Sequence, residues 1–267
     1  MLMTKKTIQG IFLGIILLLM YLPILILAVY SFMDSAIIGK SGSFTLKNYI
    51  YLFHSEDLRT MIFGTILLAL VVAVISTILG TLGAIGAFYS SNKLKKPIHL
   101  MNQIPVVNAD VVTGFSICVL LIVFFKMDKA SYIPLVLGLV SLCSPFVYLS
   151  VIPRLKQMDP QLYEAALDLG CSPFGALRKV VLPQLTSGIV SGFMMSITLT
   201  LDDYFITTYT KPSMFDTIST YVVNATKGAQ TDVKTALWAL STIIFLVVIF
   251  IVIGMNHTGR KEHDHEI

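Results

Sequence analysis

The chain of 267 residues is 55% hydrophobic and 13% charged, with a mean hydropathy of +0.82 and a net charge of +4. So apolar a composition excludes an ordinary soluble domain and describes an integral membrane protein, in which a modest positive charge reports topology more than nucleic-acid binding. Three cysteines, with no Cys-x-x-Cys among them, imply no disulfide framework.

Charge-free runs mark the spans at 7–33, 60–92, 111–125 (preceded by the mostly apolar 100–109), 130–153, 180–201 and 235–259. Most of them reach the roughly 20 apolar residues needed to cross a hydrocarbon core of roughly 30 Å. We therefore read an all-α polytopic protein of six membrane helices, with a membrane domain at 1–256 and a tail at 257–267. Span 1, about 10–32, follows Lys5 and Lys6 as a secretory leader would, but it is too long and lacks a clear small-x-small cleavage site. Pro23 within it is a tolerable kink. A Gly- and Ser-rich segment follows, then a short amphipathic segment predicted at 46–58. Span 2 carries Gly80, Gly83 and Gly86; Gly80 and Ala84 form a small-xxx-small pair, suited either to close helix contact or to the loose packing common in membrane helices. Span 3 begins near Met101 and carries Pro105, Asn108 and Asp110, and span 4 carries Pro134, Gly138 and Pro145.

Between spans 4 and 5 lies a polar stretch, 159–183, built like two short helices. Asp159 is an N-cap followed by Pro160, Gly170 is a left-handed stop, Ser172 and Pro173 start a second helix, and Pro183 bounds it. Leu162, Ala165, Ala166 and Leu169 recur at helical spacing as one small apolar face, and Phe174, Leu177 and Val181 repeat the pattern. Such faces seek either the bilayer surface or a protein partner. Span 5, about 184–208, holds Gly188, Gly192 and then Leu-Asp-Asp-Tyr at 201–204; span 6 ends near Met255.

With the N-terminus inside, 11 of the 19 Lys and Arg fall on the inner side and crowd the span ends, which puts both termini and 159–183 in the cytoplasm. Lys126 and Lys129, in a short outer turn, run against this bias. The acids balance on the two sides and leave Asp110, Asp202 and Asp203 within or at the edge of spans, with no Lys or Arg inside a span to pair with them. A carboxylate at the centre of a membrane helix costs roughly 2.5–3.5 kcal/mol, so it marks a pathway or a pair. Along a straight helix Asp110 falls about 13 Å deep, near the midplane, and Asp202 about 27 Å along, near the outer mouth. Asp202 and Asp203 point about 100° apart on a continuous helix. Tyr204, Phe205 and Tyr209 could hold an organic cation through their ring faces. The plainer alternatives are that Asp202 and Asp203 merely cap the helix end in water, where interfacial charges are cheap, and that Asp110 hydrogen-bonds within the bundle. His257, His263, Asp264 and His265 form no more than a charged tail, so we expect no metal site. No phosphate-cradling Gly-x-x-x-x-Gly-Lys-Ser/Thr and no paired nucleophile occur, so we expect neither a cofactor in this chain nor catalysis.

Glu164-Ala165-Ala166, then Gly170, then Val180-Val181-Leu182-Pro183 resembles the cytoplasmic signature of the permeases of ABC importers, with Val180 where Ile is usual. The resemblance implies the type I importer fold. It also implies that Glu164, Ala165, Ala166, Asp168, Gly170, Leu182 and Pro183 belong to a coupling helix that docks on a separate ATPase, which binds the ATP and Mg. Further partners implied are a second permease subunit and an extracytoplasmic solute-binding protein, in a bacterial plasma membrane. Tyr21-Leu22-Pro23, Phe44-Thr45-Leu46 with Asn48-Tyr49, Asp110-Val111-Val112-Thr113-Gly114 and Ser196 to Phe205 resemble the spermidine/putrescine branch of that family, of the second, "C", type. The substrate path expected from this comprises Asp110, Thr113, Asp202, Asp203, Tyr204 and Phe205. Permeases for iron, phosphonate or thiamine share parts of these features, and a scaffold or sensor subunit that docks a cytoplasmic partner without passing solute stands as the alternative of another class.

Overall fold

A computed structural model describes residues 2–34, 42–107, 110–159, 161–227, 235–243 and 245–246. Two compact units divide the chain: Met1–Thr60 with Val222–Ile267, and Met61–Tyr221.

In the first unit, α1 (Leu2–Ser31) carries a 20-residue apolar stretch, Phe12–Ser31, whose apolar side chains stay largely uncovered while Ser31 at its end is buried. Its last carbonyls have no partner within the helix, and a side chain from the next segment supplies one. Asn48, on α2 (Lys47–His54), donates to the carbonyls of Ser31 at 2.8 Å and Met33 at 3.0 Å, and Tyr49 meets the Ser31 hydroxyl at 2.9 Å. Phe32 stacks on Phe44, with centroids 5.8 Å apart. The segment predicted at 46–58 is thus shorter. Ser55 turns to extended backbone and α3 (Glu56–Tyr89) begins at the next residue. Residues 235–243 are helical, and Trp238 sets its ring edge-on to Tyr30 at 6.0 Å.

The second unit is organised around α6 (Ile133–Gln157), whose most apolar stretch is 61% buried, against 33% for α3 and 28% for the run Pro173–Asp202. Small residues on the flanking helices let them close on it. A Cβ at Gly80 of α3 would fall 2.6 Å from the Val147 Cβ, and one at Gly192 of α9 (Leu182–Asp202) 3.0 Å from the Val147 Cγ1. Gly188 is held as closely, against Arg154 and the Ser150 carbonyl. Gly83 and Gly86 face open space, so only Gly80 of the three serves close contact. Val147, Val151 and Leu155 of α6 pack with Ala84 and Ala87 at one end, and Leu135, Leu139 and Cys143 pack with Leu68 and Val72 at the other.

Two expected spans are built differently. In place of one helix through span 3, α4 (Asn92–Val107) and α5 (Asp110–Cys118) lie on axes bent by 106°, and a π-helical segment, Val119–Phe124, extends α5. The depth of Asp110 along a straight helix therefore does not apply; Asn108 lies outside the described residues. Span 5 is longer than predicted. It begins at Pro173 and runs to Asp202 through a π-helical turn, Leu177–Val181. Pro183 therefore does not bound a helix. It lacks an N–H and crowds the carbonyl four residues back, and the wider π turn before it, closed by Leu182 N–H to the Leu177 carbonyl, removes that conflict.

Among the described residues four helices are long and apolar enough to cross a membrane, or five if the bent pair counts as one span. Span 6 lies mostly outside them, as does the tail.

Candidate functional site

Between α9 and α10 (Phe205–Thr210) the chain breaks at Asp203, which is extended and outside either helix. Asp202 and Asp203 thus do not sit 100° apart on one helix, and span 5 does not continue to 208. The break has a local cause. The Asp203 Oδ2 accepts from the Thr207 amide at 2.7 Å and from its hydroxyl at 2.8 Å, so the buried carboxylate caps α10. Asp203 is therefore not an acid capping a helix end in water: it is buried and serves the first turn of the next helix. Asp202 ends α9 exposed, and its backbone carbonyl accepts from Ser219 at 3.1 Å.

Gly114 brings the second half of the cluster to this junction. A Cβ there would lie 3.1 Å from the Ile206 nitrogen and 3.2 Å from the Phe205 carbonyl carbon, so α5 and α10 touch backbone to backbone. Phe115 sets its ring edge-on to Tyr209 at 6.0 Å, and the Cys118 thiol donates to the Tyr209 carbonyl at 3.4 Å. The start of α5, with exposed Asp110 and half-buried Thr113, is thereby set beside Asp203, Tyr204 and Phe205, and the like charges of Asp110 and Asp203 act on one another. Tyr204 and Phe205 meet edge-on at 5.3 Å. The nearby cation, Lys211, is engaged elsewhere: 2.8 Å from Asp216 and donating to the Phe215 carbonyl at 2.7 Å. Among the described residues no Lys or Arg forms an ion pair with Asp110, Asp202 or Asp203. The cluster can attract ammonium groups by charge and hold a methylene stem against rings. Gly114 and Thr207 were not singled out by chemistry from the sequence. An Asp four residues ahead of a Thr was the available signal for the second.

The stretch 159–183 follows its local signals at Asp159, Gly170 and Ser172, but its second helix does not stop at Pro183 and runs on into α9. Asp159 accepts from the Gln161 amide at 2.9 Å and opens α7 (Gln161–Asp168); Pro160 lies outside the described residues. Gly170 closes α7 at φ +85°, with its amide on the Leu167 carbonyl at 2.9 Å and that of Cys171 on the Ala166 carbonyl at 3.0 Å, the paired bonds of a Schellman stop. Ser172 caps α8 (Pro173–Ala176) through the Gly175 amide at 3.2 Å. The apolar face divides, however. Ala166 and Val181 are buried and Tyr163 and Leu177 pack against the core, while Leu162 at 37%, Leu169 at 87% and Phe174 at 75% stay exposed, as do Glu164, Ala165 and Asp168. The inward side of α7 packs on the π turn 177–181, and Tyr163 meets Tyr89 of α3 at 5.0 Å. Leu182 is half-buried and Pro183 exposed.

Residues 79–258 match the profile of the family described as "Binding-protein-dependent transport system inner membrane component". The chain is 28% identical over 262 residues to the spermidine/putrescine transport system permease protein PotC of Escherichia coli (strain K12), covering 97% of each. It is 28% identical over 238 residues to the putrescine transport system permease protein PotI of the same organism, covering 84% of this chain and 81% of that one. Among solved structures, a bacterial alginate ABC transporter in complex with an alginate pentasaccharide-bound periplasmic protein superposes with a TM-score of 0.71 at 17% identity, over 92% of each chain. A second, of an importer of the acidic polysaccharide alginate, gives 0.67 over 97% of this chain and 99% of that one.

Proposed function

The chain belongs to the family of binding-protein-dependent transport system inner membrane components, and from that premise we propose that it is the permease subunit of an ATP-driven importer that passes a polyamine. It lines the path together with a second permease, since six helices rarely enclose a path alone. The ATP is hydrolysed by two copies of a separate ATPase on the cytoplasmic side, and an extracytoplasmic binding protein delivers the solute. The two permeases named for putrescine or spermidine/putrescine support the substrate class.

The observation that carries the reading is the juncture of α5 and α10 over Gly114, which sets Asp110 beside Asp203, Tyr204 and Phe205 with no ion-paired Lys or Arg among the described residues. An uncompensated acidic cluster beside membrane helices selects cations and repels anions. Asp110 and Asp202, both exposed, meet the ammonium groups; Asp203 positions the junction through Thr207. Thr113 and the rings of Tyr204 and Phe205 line the same passage. On the opposite side the exposed Leu162, Glu164, Ala165, Leu169 and Phe174 dock on the ATPase, while Ala166, Gly170 and the start of α9 at Leu182-Pro183 join that surface to the spans. Closure of the ATPase pair on ATP moves the surface as a lever and opens the path outward.

Competitive uptake of labelled putrescine in a strain dependent on this chain tests the substrate class. Spermidine and putrescine should compete and an anionic control should not. Competition by the anion alone, or no uptake of either polyamine, contradicts the proposal.

A further inference from the structure

At the end of the second unit that carries α7, α4 packs on α6 beside a half-open recess of about 270 Å3, lined by Phe88 of α3, Lys95, Lys96 and His99 of α4, and Tyr148 and Lys156 of α6. Two stretches about sixty residues apart in sequence thus place three exposed lysines around one largely apolar recess. Among the described residues none of the three lysines forms an ion pair. Lys95 lies 5.6 Å above the Phe88 ring, and His99 faces Tyr148 at 6.2 Å. Like charges gathered without a counter-charge repel one another, and an anion in the recess would relieve this. The space is smaller than the roughly 300–1,000 Å3 of ordinary small-molecule sites, which suits a headgroup better than a nucleotide.

We propose that this recess binds the phosphodiester headgroup of an anionic phospholipid. The α4 residues Leu94, Leu100 and Met101, exposed and apolar, flank the lysines and offer a surface for the acyl chains, which a free phosphate would not use. Basic recesses between membrane helices at the bilayer surface hold such headgroups by charge. The site lies beside α7, since Tyr89 at the end of α3 meets Tyr163 at 5.0 Å, so a bound lipid braces the foot of that helix. This inference requires that the chain span a bilayer; it is independent of which solute is carried.

The test is native mass spectrometry of the full-length chain in detergent micelles, titrated with phosphatidylglycerol and, in parallel, phosphatidylcholine. Phosphatidylglycerol should be retained about tenfold better, K95Q/K96Q/K156Q should bring the two lipids level, and K95R/K96R/K156R should keep the preference. K126Q/K129Q, at another turn, should change nothing. Equal preference in the native chain and K95Q/K96Q/K156Q overturns the proposal, and so does displacement of the lipid by millimolar inorganic phosphate, which would make this a site for free anions. If the triple Gln variant fails to fold, K156Q alone, at an exposed position, should lower the preference about threefold, and an unchanged ratio again overturns it.

Discussion

Asp203 and Asp202 are neighbours in sequence with different work, and the difference follows from where one helix stops. Asp203 is buried and spends one oxygen on the Thr207 amide and hydroxyl, whereas Asp202 is exposed at the end of α9. Thr207→Val, which keeps the shape and removes the hydroxyl, should therefore cost about 1–2 kcal/mol of stability, read from denaturant unfolding in micelles, with polyamine selectivity retained. Two adjacent acids in a sequence announce charge but not which of them is spoken for. That depended on the extended backbone at Asp203, which no apolar periodicity encodes. By contrast Gly170 was legible as a left-handed stop, because a polar helix ending in Leu-Gly-Cys has few other ways to satisfy its last carbonyls, and its φ is +85°. Gly170→Ala should destabilise the α7–α8 turn by about 1 kcal/mol, through backbone strain and not through crowding, since no atom lies within 4 Å of a Cβ there.

The helices themselves were legible wherever local composition decides them, and less so where docking does. Charge-free runs found α3 and α6, and the caps at Asp159 and Ser172 found α7 and α8. The bend between α4 and α5 and the π turn before Pro183 were not legible, because a proline such as Pro105 or Pro183 can sit in a kinked but continuing helix as readily as at a break, and packing decides which. The side of α7 that turns inward was also hidden: Ala165 and Ala166 are the same residue type, and only contact with the core distinguishes them. Glycine spacing was similarly ambiguous until the neighbours were in place. Gly80→Ala forces a Cβ to 2.6 Å from that of Val147 and should cost about 1–3 kcal/mol, while Gly83→Ala, facing open space in the same helix, should be neutral or slightly stabilising by Tm. Equal losses in the two variants would mean that α3 does not pack on α6 through Gly80.

At the scale of the whole molecule, two features serve one proposed cycle: an acidic cluster at the α5–α10 junction and an exposed apolar surface on α7 and α8. Phe174 and Leu169 are so exposed that Leu169→Glu with Phe174→Glu leaves the core intact; the double variant should keep normal abundance, fail to co-purify an ATPase and lose transport. A non-transporting scaffold would show no polyamine uptake to lose. The central claim, that Asp110 and Asp202 select a cation for passage, is tested most directly by uptake of labelled putrescine in cells dependent on Asp110→Asn/Asp202→Asn protein at normal abundance. Uptake should fall about tenfold or more, the loss of roughly 1.4 kcal/mol or more of charge attraction, with ATPase co-purification unchanged. Uptake equal to that of the native chain would contradict the account.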